Sequence, residues 1–335
     1  MIPQTNITTG DDWQSQLRDV VTSGEELLAL LQLTRDQVGY SELAGIDFPL
    51  KVPRAFIARM RVGDPRDPLL RQVLGTGQEL LVEPGYSEDP VGETADAISR
   101  PGIIQKYHGR LLLVLSGGCA VNCRYCFRRH FPYSDNQNSR QQWLQAIDHI
   151  ARDPSISEVI LSGGDPLLVG DGHLQELVAK IASVNHVKRL RVHTRLPVVI
   201  PRRVSQGLLD ALTHPALQTV LVIHANHANE LDFAVGNAMR SASERGITVL
   251  NQAVLLAGIN DNSEALADLS ERLFEIGVLP YYLHLLDKVH GAAHFDVEET
   301  RARALIEEIS GRLPGYLVPK LVREEAGAQA KTAVF

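Results

Sequence analysis

The sequence predicts an α/β protein built on six consecutive βα units, arranged as a doubly wound sheet or a barrel. Three observations predict it. Six short runs rich in apolar and β-branched residues begin near Arg110 (RLLLVL), Glu158 (EVILS), Arg189 (RLRVH), Thr219 (TVLVIH), Thr248 (TVLNQAVL) and Pro280 (PYYLHLL). After a first interval of 48 residues they recur every 29 to 32, and a strand with its crossover helix takes roughly 30. Helix-like segments fill the gaps, as at Gln141 to Ala151, Leu174 to Ser183 and Ala234 to Arg245. Strands joined through helices run parallel. Six units are two short of a full eightfold barrel.

Ahead of these units, residues 1–105 read as a separate, mainly helical region. Ser23 with Glu26 fits a capping box before the run Leu27 to Leu31. Pro49, Pro53, Pro65 and Pro68 punctuate short helical pieces, and residues 82–90 suit a loop. Residues 106–310 hold the βα units. Residues 311–335 form a short tail that contains Lys320, within a predicted strand, and Lys331.

Composition narrows the function. The chain has 335 residues, a net charge of −7, 44% hydrophobic and 22% charged residues. These values fit a globular protein and not a disordered one. The acidic balance argues against nonspecific nucleic-acid binding. No apolar run approaches the ~18 residues that span a bilayer. The N-terminus lacks the basic and apolar regions of a secretory signal, so a cytoplasmic location is expected and the Asn6-Ile7-Thr8 sequon reads as chance.

All three cysteines fall within eight residues, Cys119-Ala-Val-Asn-Cys123-Arg-Tyr-Cys126, just after the first predicted strand. An odd, clustered set is a poor disulfide framework. Without an export signal it reads as a metal or redox site. Three thiolates in one loop can hold three irons of a cubane cluster and leave the fourth open. The alternative is a zinc site with His130 as fourth ligand. Ser162-Gly163-Gly164-Asp165-Pro166 follows the second strand, where glycines let backbone approach a ligand closely.

The CxxxCxxC spacing, with Tyr125 before the last cysteine, resembles the radical S-adenosylmethionine (SAM) superfamily. That resemblance implies a partial (β/α)6 TIM barrel, a [4Fe-4S] cluster on Cys119, Cys123 and Cys126, and SAM bound at the open iron. It implies SAM contacts from Tyr125, Gly163, Gly164 and Asp165, to which the narrower resemblance given next adds His224 and Gln252.

From about Phe48 onward the chain resembles more narrowly the lysine 2,3-aminomutases. The segments that carry this include FPLKVP (48–53), DPLLRQVL (67–74), GYSEDPVGE (85–93), KYHGRLLL (106–113), CRYCFRR (123–129) and LSGGDPLL (161–168). HTRLPVVIPRR (193–203), NHANE (226–230), NQAVLLAGIND (251–261), PYYLHLLD (280–287) and GYLVPKLVREEAGAQAKT (315–332) complete them. The resemblance implies pyridoxal 5′-phosphate (PLP) held as a Schiff base by Lys331, with Lys106, Tyr107 and Arg110 near that cofactor. It implies Arg128 for the substrate carboxylate, and Asp287 and Glu324 for the distal ammonium of L-lysine. Glu324 stands where the family typically has Asp, and His284 where it often has Tyr. Only Gly327 remains of the glycine run that usually precedes the lysine.

The chain stops four residues after Lys331. In this it resembles the short bacterial branch that supplies (R)-β-lysine to an elongation factor P lysine ligase. The expected electron donor is a flavodoxin or ferredoxin. A catabolic or antibiotic-pathway lysine aminomutase, and a 2,3-aminomutase for another amino acid, are the alternatives within the family. A noncatalytic metal-binding interaction module is the alternative outside it.

Overall fold

The computed structural model describes residues 12–93, 98–100, 102–133 and 140–335. The Asn6 sequon lies outside them. Seven strands run parallel: β1 (Arg110–Ser116), β2 (Glu158–Gly163), β3 (Arg189–Thr194), β4 (Gln218–Ile223), β5 (Thr248–Val254), β6 (Leu279–His284) and β7 (Lys320–Arg323). A final short strand, β8 (Thr332–Ala333), pairs antiparallel with β7. At the other edge, Ile103–Ile104 pairs antiparallel with β1, and Ile98–Arg100 pairs with Ile103–Ile104. Each of the six predicted runs begins a strand to within one residue. The seventh parallel strand comes from the tail.

The longer crossover helices are α1 (Arg140–Arg152), α2 (Asp171–Ala182), α3 (Gln206–Leu212), α4 (Phe233–Glu244), α5 (Ser263–Glu275) and α6 (Glu299–Ser310). Their starts have local causes. Ser205, Asp232 and Asn262 each accept a hydrogen bond from a first-turn backbone N–H of α3, α4 and α5.

The strands lie in sequence order without reversal. A doubly wound sheet would reverse at a switch point. Crossovers of one hand in unbroken order put all helices on one face, so the other face curls inward. Side-chain alternation agrees. Val159 and Leu161, Leu190 and Val192, and Leu221 and Ile223 join the hydrophobic core. Their neighbours Ile160, Ser162, Arg191 and His193, with His224 just beyond β4, line a central cavity. Among the described residues the two edges do not pair with each other, so the barrel is partial.

Ahead of the edge strands Ile98–Arg100 and Ile103–Ile104, the described N-terminal residues form short helices and a two-strand ribbon, Val20–Val21 with Val52–Pro53. Ser23 caps the helix Gly24–Leu31 as expected, but the Glu26 carboxylate turns to Arg54 instead of closing the box. This region packs into the barrel's core. Leu27, Leu31, Phe56 and Leu69 are buried in the same connected cluster as Leu161 and Leu283. Buried Arg124, inside the cysteine loop, donates to the Ala44 carbonyl and pairs with Glu79.

Candidate active site

One cavity of about 300 Å³ sits inside the curled sheet. It is lined by the three cysteines and by every residue to which the family resemblances gave a site role: Lys106, Tyr107, Arg110, Tyr125, Arg128, Gly163, Gly164, Asp165, His224, Gln252, Asp287, Glu324 and Lys331. The barrel brings them together because β-strand ends carry most of them. Lys320, the competing tail lysine, is exposed on β7 and absent from the cavity wall.

At one end stands the cysteine loop. Gly163 and Gly164 hold its start in place. A Cβ on Gly163, whose φ is +130°, would meet the Ser116 carbonyl oxygen at 2.4 Å, and one on Gly164 would meet that of Gly118 at 2.2 Å. Gly164 N–H donates to the Ser116 carbonyl (2.7 Å) and Asp165 N–H to that of Gly118 (2.8 Å). The two glycines therefore dock the cysteine loop onto β2. Burial and the neighbouring sulfurs push the Cys119 thiol well up and the Cys126 thiol to about 11. Without a bound cation these two sulfurs stay protonated, and a metal cluster would supply the positive charge that thiolates require.

Among the described residues, no three His, Cys, Asp or Glu side chains converge on a single-ion site. A cubane does not require that, because each thiolate takes its own iron. His130, the fourth ligand of the zinc alternative, is absent from the cavity wall, and its ring packs edge-on against His290. The loop thus fits a cluster on three thiolates.

Asp165 and Tyr125 line the cavity in supporting parts. Both Asp165 oxygens are filled, by Leu167 N–H (3.0 Å) and the Thr194 hydroxyl (2.7 Å) on one, and by the Arg195 and Leu196 N–H groups (2.9 Å each) on the other. Its carboxylate ties the end of β2 to that of β3 and has no acceptor site left for a ligand. The Tyr125 hydroxyl accepts from Asn226 (2.7 Å) and donates to Gln72 (3.3 Å). Its ring remains on the wall. Arg195, which the sequence reading missed, donates to the Cys123 sulfur at 2.6 Å and to Gln72 and Glu230.

In the middle, neutral groups face the cavity. His193 on β3, His224 after β4 and His284 on β6 each carry a buried, unpartnered Nε2, and Gln252 on β5 an unpartnered Oε1. Burial holds all three imidazoles neutral, His224 down to about 3. Unmet buried polar atoms are costly, and a polar ligand such as SAM would satisfy those of His224 and Gln252. His193 was not anticipated, because a strand-end histidine has no local pattern to mark it.

The far end is charged. Lys331 Nζ donates to Glu324 at 2.7 Å, and the Tyr107 hydroxyl bonds the same carboxylate. Lys106 reaches the Val91 carbonyl (3.0 Å), Glu93 (3.2 Å) and Glu324 (3.7 Å). Its ammonium is committed to these acids. Arg110 lies over the Tyr107 ring at 4.7 Å, and its Nε is buried without a partner, as is that of Arg191. Those two orphaned guanidinium N–H groups, near Lys331, fit a phosphate-bearing cofactor such as PLP. Arg128 is engaged by Glu93, the Ser162 hydroxyl and the Gly163 carbonyl. Burial would raise the Glu324 carboxyl, but Lys331, Tyr107 and Lys106 outweigh it and hold Glu324 below the usual range.

Asp287 behaves oppositely. Burial raises its carboxyl to about 7 against the pull of Lys331, with Glu324 and Glu93 adding to the rise. An ammonium ligand needs the ionised form. Affinity for such a ligand is therefore expected to rise about tenfold from pH 6 to pH 8, measured by calorimetric titration. In Asp287→Asn that slope is expected to flatten.

The family model described as "Radical SAM superfamily" matches residues 113–270. The chain is 49% identical over 331 residues to "L-lysine 2,3-aminomutase" of Escherichia coli (strain K12), covering 98% of this chain and 95% of that protein. It is 44% identical over 333 residues to the protein of the same name from Haemophilus influenzae, covering 99% and 98%. Against that of Clostridium subterminale it is 33% identical over 328 residues, covering 97% and 78%.

Proposed function

Because the chain belongs to the family of the L-lysine 2,3-aminomutases, and is thereby a radical SAM isomerase, we propose that it turns L-lysine into (R)-β-lysine for attachment to elongation factor P. One observation carries the substrate reading. A single cavity holds a cation, Arg128, for a carboxylate, two acids, Asp287 and Glu324, for an ammonium, and Lys331 within reach of those acids. L-Lysine has that charge pattern.

Cys119, Cys123 and Cys126 would hold the cluster. His224 and Gln252 would meet SAM. Lys331 would carry PLP, with Arg110 and Tyr107 beside it. The cluster with SAM supplies a hydrogen-abstracting radical when bound, and PLP supplies a site to delocalise spin. The chain's own work is placement. Arg128 fixes the carboxylate, Asp287 and Glu324 fix the ammonium, and the neutral arc of His193, His224 and His284 lines the adjoining wall without adding charge.

The downstream use rests on the likeness to the short bacterial branch, whose relatives rank above the clostridial enzyme in identity. A flavodoxin or ferredoxin would supply electrons and a companion ligase would take the product. Among the described residues no helix is long and apolar enough to cross a membrane, and we place the enzyme in the cytoplasm.

The test is an anaerobic assay of the iron-reconstituted protein with PLP, SAM, a strong reductant and L-lysine, read by chiral mass spectrometry. (R)-β-Lysine is the expected product. Its absence from protein carrying an intact cluster and bound PLP would overturn the lysine assignment and direct the search to other amino acids.

A further inference from the structure

We propose that Glu93 is an internal competitor of the substrate: its carboxylate occupies Arg128 in place of the substrate's own, and only a ligand that brings a carboxylate displaces it. The inference rests on the reading of Arg128 as the carboxylate-binding residue. Glu93 was not singled out from sequence. It is 5% exposed, at the end of the loop that precedes the barrel. Arg128 Nε donates to its Oε2 at 2.7 Å and Arg128 Nη2 to its Oε1 at 3.0 Å. This forked pair is the geometry in which a guanidinium recognises a free carboxylate.

Arg128 has little left to offer a second carboxylate. Its Nη1 donates to the Ser162 hydroxyl (3.1 Å) and the Gly163 carbonyl (3.2 Å). Of the five N–H groups of a guanidinium, one on Nη2 remains. An incoming α-carboxylate cannot take a forked pair while Glu93 holds its place.

A neighbouring pair repeats the arrangement. Glu324 is paired with the Lys331 ammonium at 2.7 Å. The charged end of the cavity therefore carries a carboxylate on Arg128 and an ammonium on Glu324, the two charges that lysine would bring. Lys106 stands between the acids, 3.2 Å from Glu93 and 3.7 Å from Glu324. When Glu93 leaves Arg128 it keeps Lys106, so the exchange strands no bare buried anion. A diamine without a carboxylate can meet Glu324 but brings nothing to Arg128. Glu93 thereby weakens the binding of amino acids and leaves that of diamines alone.

The experiment uses protein loaded with cluster and PLP, without SAM or reductant, so that no turnover occurs. L-Lysine or 1,5-diaminopentane is titrated in, and the PLP absorbance is followed. Glu93→Gln keeps the shape and an acceptor but removes the charge. It is expected to bind L-lysine about 5–10-fold more tightly and 1,5-diaminopentane unchanged. Unchanged or weaker L-lysine binding would overturn the proposal. Wild-type protein gives a second readout that needs no variant. Amide hydrogen exchange across residues 85–93 is expected to be faster with L-lysine bound than with 1,5-diaminopentane, and equal or slower exchange would overturn it. No response to L-lysine in either protein would overturn the substrate reading and this proposal together. A normal wild-type response without the Glu93 effects would overturn this proposal alone.

Discussion

Replacing Lys331 by alanine is expected to lower β-lysine formation by about 10³-fold or more, with the fold retained. Lys331 is the one lysine of the tail that reaches the cavity, and its ammonium sits 2.7 Å from Glu324. An amine is the side chain that can join PLP covalently. Deleting it does not leave Glu324 bare, because Tyr107 and Lys106 remain on that carboxylate. The melting temperature should therefore move by only a few degrees, about the effect of 1 kcal/mol. Borohydride treatment of PLP-loaded wild-type protein should fix the cofactor to the chain by mass, and the variant should stay unlabelled. A labelled Lys331→Ala protein would show that another lysine carries PLP.

The second large effect is expected at Cys126. Cys126→Ala should lose iron, the visible absorbance of the cluster and all measurable product, because a cubane on three thiolates has no spare ligand. The metal-free protein should barely notice the change. In that state Cys126 is a protonated, half-buried thiol that behaves as a small apolar group, and trimming it to alanine costs about 1 kcal/mol. The contrast separates ligand loss from misfolding. A variant that keeps full iron content and activity would overturn the assignment of Cys126.

Much of the fold was legible because its signals are local. The runs at Arg110, Glu158 and Thr248 begin strands where the apolar periodicity starts. The 30-residue spacing marks βα units, but periodicity alone left barrel and doubly wound sheet open. Strand order decided it, and order is a long-range property. The seventh parallel strand, β7, is four residues long and pairs with β6 and β8, too short to be counted as a unit by pattern.

The site divides in the same way. The cysteines stand within one loop and could be read directly. Glu93 meets Arg128 across 35 residues and Arg195 meets Cys123 across 72, so nothing near either residue in sequence announces the pairing. Asp165 and Lys106, both singled out from sequence, line the cavity wall. Their partners, four donors around one carboxylate and two acids around one ammonium, appear only once the strands are side by side.

The lip formed by β7 and β8 also sets an order of events during synthesis. It is the last part of the barrel made, and it carries Lys331, whereas the cysteine loop lies about 200 residues upstream. At roughly 5–20 residues per second, the ribosome makes the thiols some 10–40 s before the lysine and the two strands that wall that side of the cavity. A nascent chain thus presents an open cysteine loop to iron–sulfur delivery, and no site for the aldehyde cofactor, until the final strands zip on.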